Sequence, residues 1–468
     1  MPNEYDVIVV GSGIAGLFCA NALLDQGKKV LLLEQHHMPG GYCTSIQRKG
    51  MTFDVGAHLI GSLGNPRTPV GRLIQQWELP VEFIRCNKLE KVHFPGLTIH
   101  FPACWEEFQA TVASFFPDEA ENLKKFWADL RKVMRSYLRP VEGNRMVEEL
   151  HGQTYGEFLD VYFKSTKLKG ILSSLYGYVG LAPNQISLFA MASMLGSYLI
   201  DGTYYVKGGS QKLSNALARR FKQAGGVLKY KEKVDNLLIE NQRVVGVNSI
   251  PSGNFWANQV VYNGNLHQVL PAAQGGDYLL NIINQKPFHP HRNSVKLFSM
   301  YFGLRISEQE LRRIQGFHFA DFDLDQPENL LLYLAAPSLE NKELSPKGTQ
   351  ILIANLPLRG ESAELKFWSP ENKAKFEKQV NEVLNKLSPG FAQRIVFQEG
   401  ATPKTFFRYT CNDEGSVYGW AKTPEQMWVN PITKVGGLSQ VGHWSYPGCG
   451  IAAVAVSGIH TAAQLSRT

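Results

Sequence analysis

The segment Gly11-Ser12-Gly13-Ile14-Ala15-Gly16 has the residue types and spacing needed to hold a diphosphate. Gly11 allows a tight turn, Gly13 lets the backbone approach a pyrophosphate, and Gly16 lets a helix pack closely on a strand. Glu34, with Gln35 beside it, lies roughly twenty residues on, where a carboxylate accepts hydrogen bonds from ribose hydroxyls. Such a set must be positioned by three elements. The run Tyr5 to Val10 reads as a buried strand, and the segment through Leu17, Ala20, Leu23 and Leu24 as a helix. After a Gln26-Gly27-Lys28-Lys29 turn, Val30 to Leu33 forms a second strand ending at Glu34. A lone GxGxxG is a weak signal. With both strands, the helix and the acid in order it is a dinucleotide-binding βαβ unit, its helix N-terminus facing the diphosphate with free N–H groups and a positive dipole end.

Other segments carry a more specific signal by their order. Gly40-Gly41-Tyr42-Cys43 follows the acid, then Phe53-Asp54-Val55-Gly56-Ala57-His58. Lys207-Gly208-Gly209 precedes a helix through Leu213, Leu217 and Phe221, and Lys233-Val234 follows it. Near the C-terminus stand Val441-Gly442-His443-Trp444 and Pro447-Gly448-Cys449-Gly450-Ile451. Over nearly its whole length the chain resembles the flavoprotein superfamily of carotenoid desaturases, carotenoid isomerases, retinol saturases and amine oxidases. That resemblance implies FAD, held without a covalent bond. Gly40, Gly41 and Tyr42 would lie against it, Val234 would meet the adenine through its backbone, and Gly442, Gly448, Gly450 and Ile451 would belong to a second helix start facing the flavin. It also implies that His58 lies on the reacting side of the flavin. The Gly415-Ser416-Val417-Tyr418-Gly419-Trp420 turn would bring Tyr418 and Trp420 to the approach. Each of these three is as readily a satisfied structural side chain. Tyr42 departs from the pattern, since many desaturases and amine oxidases carry arginine there.

Length and composition set outer bounds. At 468 residues two interleaved domains are expected. The fold class is α/β: a Rossmann-type FAD-binding domain from residues 1–75, 204–275 and 406–468, interleaved with a mixed-sheet and helical substrate domain from 76–203 and 276–405. Residues 76–203 read as mostly helical. Ser294 to Leu304, Leu330 to Leu334 and Gln350 to Asn355 read as strands of a sheet floored by helices. The aromatic and methionine-rich runs Leu168 to Gly180 and Leu188 to Leu199 suit a long apolar substrate, although any one of these side chains is as readily core filling. The six cysteines, Cys19, Cys43, Cys86, Cys104, Cys411 and Cys449, have no zinc-like or CxxC spacing and read as reduced thiols. No metal site is expected.

The net charge of +7 comes with no nucleic-acid motif, so a nucleic-acid partner is not expected. A first strand starting within a few residues of Met1 leaves no room for a leader, and no apolar run is long enough to span a bilayer. The expected location is cytoplasmic, with peripheral membrane contact. Leu123, Trp127, Leu130, Met134 and Leu138 recur at helical spacing among Lys124, Lys125, Arg131, Lys132, Arg135 and Arg139, with Tyr137 nearby. That is the pattern of an interfacial helix, and equally that of a surface helix packed on its own domain. The functional expectation is an FAD-dependent oxidoreductase or isomerase that desaturates, saturates or isomerises a carotenoid-like polyene. An amine or protoporphyrinogen oxidase is the rival enzyme, and a flavin-free lipid-escort protein the rival of another class. Oligomeric state is not legible.

Overall fold

A computed structural model of the chain describes residues 4–56, 58–137, 145–269, 292–427 and 435–466. The expected βαβ unit is present as β1 (Tyr5–Val10), α1 (Ile14–Asp25) and β2 (Val30–Glu34). Both strands are buried almost throughout, as continuous apolar runs in a parallel sheet must be. Five parallel strands run in the order Val227–Tyr230, β2, β1, Gly253–Tyr262, Leu438–Gln440. The long Gly253–Tyr262 strand also continues outward into an antiparallel meander with Arg243–Ile250 and Lys233–Glu240. Segments from the start, middle and end of the chain therefore build one sheet.

A second seven-stranded sheet is mixed. Its order is Ile395–Ala401, Leu297–Leu304, Gln350–Pro357, Leu330–Ala335, Gly316–Phe319, Lys88–Phe94, Leu97–Pro102. All neighbours are antiparallel except the Gly316–Phe319 and Lys88–Phe94 pair. Residues 76–203 are mostly helical as read, with Phe83–Cys86 and the Lys88–Pro102 hairpin as unexpected strands near their start. A charged residue, Glu90, interrupts the alternation of Val92 and Phe94 on one face, and a register shift beside Lys88 blurs it further. Helices Leu188–Leu199 and Thr166–Ser173 and the aromatic Tyr176–Tyr178 turn pack against this sheet in the largest apolar core of the molecule.

The basic segment forms the Ala120–Tyr137 helix. Leu123, Trp127, Leu130 and Met134 are all buried, and Trp105 meets Trp127 edge to face at 5.4 Å. The reading of this helix as an interfacial anchor through its apolar face is therefore corrected: that face is part of the core. Lys124, Lys125, Lys132 and Arg135 stay exposed on the other side. Leu138, Arg139 and the Tyr137 side chain lie outside the described residues, as does the backbone of Ala57. No helix among the described residues is long and apolar enough to cross a membrane. All six cysteines are free thiols, and burial pushes those of Cys19 and Cys43 up to about 12.

Candidate functional site

A single cavity of about 2230 Å³ runs from the end of β2 to the aromatic side of the second sheet. Ligand pockets ordinarily measure roughly 300–1,000 Å³, so this space has room for a dinucleotide and a further long ligand. At one end the glycine loop leaves β1. Gly11 has φ +92°, and Asn263 closes over the loop, donating from Nδ2 to the Gly11 carbonyl at 3.2 Å. A Cβ on Gly13 would meet that Nδ2 at 2.9 Å, and one on Gly16 would overlap the Gly11 carbonyl. Gly40 and Gly41, both at positive φ, lie across the loop: Gly40 bridges Gly13, and its N–H donates to the Ser12 carbonyl at 2.9 Å.

Glu34 is buried at the end of β2. Its carboxylate accepts from the Ser12 N–H at 2.7 Å, the Ser12 hydroxyl at 2.6 Å and the His36 N–H at 2.8 Å. These use three of about four acceptor positions on a carboxylate, which leaves room for one ribose hydroxyl rather than two. Gln35 accepts from the Cys411 thiol at 3.3 Å and donates to the Tyr409 carbonyl at the same distance. Val234 lines the cavity with Lys233 and Asp235, beside Glu232, whose N–H donates to the Glu34 carbonyl at 2.9 Å.

Two helices start on this cavity. The N-caps of α1 and of the C-terminal helix Ile451–Leu465 are Gly13 and Gly450, and neither start has a side-chain cap. The first-turn N–H groups of Ile14 and Ala15, and of Ile451, are thus left for an anion. The helices touch at Gly458, where any Cβ would overlap the Ala15 carbonyl. Uncapped helix starts, a side-chain-free loop and a carboxylate at the end of β2 fit the diphosphate and ribose of a dinucleotide. Gly442 and Gly450 line the same space, with open volume around Gly450. Gly448 does not. It stands at φ +114°, and a Cβ there would meet Lys422 Cε at 2.6 Å, so both its backbone conformation and that lysine call for glycine.

The middle of the cavity is bounded by Tyr42, His443, Trp444 and Tyr418. Tyr42 donates to the Ser416 carbonyl at 3.1 Å, and the Tyr418 ring packs against Gly180. Trp420 is placed differently from the sequence expectation. It stands behind the wall, edge-on to Trp444 at 5.8 Å. Lys422, which the sequence reading did not single out, is buried in this wall and donates to the His443 carbonyl at 3.2 Å. Burial holds its ammonium below the usual lysine range; burial and Lys422 together push the His443 imidazole down to about 3. A lysine in the otherwise uncharged run Val417 to Lys422 was the available signal. Asp54 is also buried, tied to Ser45 Oγ and to Ser210 N–H and Oγ at 2.7–2.8 Å, and to the Tyr205 hydroxyl. It knots the Ser45–Asp54 hairpin to the Gly208-Gly209 loop at the edge of the cavity.

The far end is aromatic: His58, Tyr178, Tyr198, Phe317 and Tyr333. Burial pushes the His58 imidazole down to about 4, so it is neutral at physiological pH. Its Nε2 is hydrogen-bonded to the Tyr333 hydroxyl. The cavity also reaches the surface, because the exposed Arg67, Arg135 and Ile200 line it. Among the described residues no group of His, Cys, Asp and Glu is placed to hold a metal ion.

Residues 9–77 match the family described as NAD(P)-binding Rossmann-like domain. Prolycopene isomerase of Daucus carota is 26% identical over 99% of this chain and 80% of its own length. All-trans-retinol 13,14-reductase of Danio rerio is 23% identical over 90% of this chain and 78% of its own. Among solved structures, an oxidoreductase from Methanosarcina mazei has a TM-score of 0.69 at 17% identity, covering 98% of this chain and 100% of that one. A putrescine oxidase has a TM-score of 0.68 at 13% identity, covering 99% of each chain. The chain therefore has the α/β fold of these solved structures, with a Rossmann-like dinucleotide-binding unit at its start. Over nearly its whole length the chain is similar in sequence to prolycopene isomerases and, over 90% of it, to an all-trans-retinol 13,14-reductase.

Proposed function

We propose that this protein is an FAD-dependent oxidoreductase or isomerase acting on the C–C and C=C bonds of a long, carotenoid-like polyene. One observation carries the reading: a single cavity joins a diphosphate-binding loop at one end to an aromatic, largely uncharged chamber at the other. FAD would lie between the two helix starts, with Glu34 on its ribose, Val234 at its adenine and Gly40, Gly41, Gly442 and Gly450 along its length. The bound flavin would supply hydride transfer, and the chain supplies orientation and exclusion of water. The parts of the chain that build the parallel sheet, 1–75, 204–275 and 406–468, form the cofactor domain in this reading; 76–203 and 276–405 form the substrate domain.

The aromatic end is walled mainly by His58, Tyr178, Tyr198, Phe317 and Tyr333, with one cation, Arg359, beside Tyr176, and this mostly apolar lining favours an apolar substrate over the oxidase alternatives. The experiment is to purify the protein with FAD and offer a polyene panel and an amine panel in parallel. The proposal expects a yellow protein that releases its flavin on acid precipitation and changes only polyenes. Hydrogen peroxide release from amines, with polyenes untouched, would overturn it.

Substrate delivery follows from the same geometry. A polyene of this kind resides in a bilayer, and Arg131 and Arg135 line the cavity on the helix that also exposes Lys124, Lys125 and Lys132. We infer that this basic face rests on anionic lipid, attracted by about 1 kcal/mol per close cation, with no apolar insertion required.

A further inference from the structure

Behind the aromatic chamber lies a carboxyl group that the residues of the proposed site do not include. Glu90 shares a strand face with the buried Val92 and Phe94. The Tyr178 hydroxyl donates to Glu90 Oε1 at 2.5 Å and the Tyr333 hydroxyl donates to the same oxygen at 2.6 Å. Tyr333 also meets His58 Nε2. Both tyrosines and His58 line the cavity, whereas Glu90 is screened from it by them. Phe317 stacks on Tyr333 at 4.2 Å and stands edge-on to Tyr178 at 5.5 Å, so the cluster is sealed on its apolar side. The other groups facing Glu90 are Tyr198, from the Leu188–Leu199 helix, and the Lys91 N–H on its own strand. No ion pair to Glu90 is present among the described residues, so the carboxylate form is stabilised by hydroxyl and amide donors alone. Burial outweighs those donors and pushes the Glu90 carboxyl up to about 7.

The Tyr333 hydroxyl has one hydrogen and, beside Tyr178, meets Glu90 and His58, so of these two it donates to one and accepts from the other. In one arrangement Glu90 is ionised, Tyr333 donates to it, and His58 donates from Nε2 to Tyr333. In the other Glu90 is protonated and donates to Tyr333, Tyr333 donates to Nε2, and the imidazole proton sits on Nδ1. Conversion of the second into the first releases one proton at Nδ1 and leaves one negative charge on Glu90. His58 is neutral before and after, which suits an imidazole that burial keeps from charging.

We propose that Glu90, Tyr333 and His58 form a proton relay that stores one exchangeable proton on Glu90 and passes it to or from a substrate carbon through His58. This rests on the reading of the cavity as a flavin and polyene site. In the saturating direction, a hydride from reduced flavin forms one C–H bond. The π pair of the C=C bond forms the second with the proton from His58 Nδ1, whose N–H bond breaks. The substrate gains two electrons and the flavin loses two; Glu90 is left as a carboxylate and recovers its proton from solvent. Desaturation is the reverse. His58 is the catalytic residue, and Glu90 and Tyr333 are positioning residues that act through it.

The test begins without substrate. In the FAD-loaded protein, infrared difference spectra should show a protonated-carboxyl band that titrates near pH 7 and is missing in Glu90→Gln, a substitution that keeps both tyrosine hydrogen bonds. Tyr333→Phe leaves the Glu90–Tyr178 bond and should keep such a band. It should lower kcat about 10²-fold or more, as loss of a general acid or base does, and remove the neutral-range limb of the pH profile. His58→Gln should do the same with flavin occupancy unchanged, and serves if Tyr333→Phe folds poorly. Absence of a carboxyl titrating near neutrality overturns the relay, as does a pH profile unchanged in Glu90→Gln. The band is read before any polyene is added, so failure to turn over polyenes counts against the functional reading and leaves the band to judge the relay.

Discussion

The glycines at this site are not equivalent, and each is required for a different reason. Gly13 has ordinary φ, −62°, yet stands where a side chain would meet Asn263 and fill the approach to the α1 N-terminus. Gly13→Val should give a folded protein with little or no flavin, read as the flavin-to-protein absorbance ratio. Gly450→Val should also lose flavin, because Gly450 is a helix start at φ +96° beside open cavity. Gly448→Val should act through Lys422 instead and lower thermal stability first. A Gly13→Val protein with full flavin would remove the loop assignment. The titratable residues set a pH dependence of opposite signs. Glu90 rises from 4.5 to about 7, so its contribution to stability is complete in acid and is lost as pH rises through about 7. His58 and His443 fall from 6.5 to about 4 and about 3, so theirs is present above 6.5 and lost as pH falls towards those values. Thermal melts of wild type and Glu90→Gln should therefore diverge in the variant's favour as pH rises from 4.5 to about 7 and run parallel above that; curves parallel across that window would contradict the protonated Glu90.

At the scale of elements, the site depends on how closely the two helices that open on it can approach. Gly458 has no room for any side chain over the Ala15 carbonyl, so Gly458→Leu should separate the helices and destabilise the protein by at least the ~1–3 kcal/mol of ordinary overpacking. A denaturant midpoint matching wild type would show that the crossing is loose. The Ala120–Tyr137 helix separates two roles that one amphipathic pattern had merged. Its Leu123, Trp127 and Leu130 belong to the core and Arg131 lies over the Trp105 ring at 5.6 Å, while Lys124, Lys125 and Lys132 are exposed and free of that task. Charge reversal at these three should reduce sedimentation with anionic vesicles at low salt and leave the melting temperature nearly unchanged. Equal sedimentation of the variant and wild type would remove the lipid-facing role.

Local elements with strong punctuation were legible in the sequence. The β1–α1–β2 unit, the Gln211–Gln223 helix and the start of the last helix after Gly450 all fall where apolar runs and glycines place them. Less legible was whatever tertiary context decides. The Lys88–Pro102 hairpin was hidden because its inward face carries Glu90, and a carboxylate on a buried face imitates a solvent-facing residue. Lys422 was overlooked for the same reason. Trp420 sits in the right turn, but one layer too deep, since sequence order places a turn and not the direction of its rings.

For the whole molecule, chain order matters more than any one motif. Segments from the start, middle and end converge on the parallel sheet, and the two segments between them build the aromatic chamber together with His58, so the glycine loop and the chamber share one cavity. FAD bound only by the folded state should raise stability by about 2.7 kcal/mol at a hundredfold excess over its Kd. The central claim is that this cavity brings a flavin to a polyene. The most direct measurement is anaerobic incubation of the FAD-loaded protein with vesicle-borne polyenes, first with oxidised and then with reduced flavin, followed by absorbance spectra and chromatography. The account predicts a shift in the polyene's absorption bands and a new chromatographic species in at least one flavin state, lost in Gly13→Val. A fully flavinated protein that leaves every polyene unchanged in both states would contradict it.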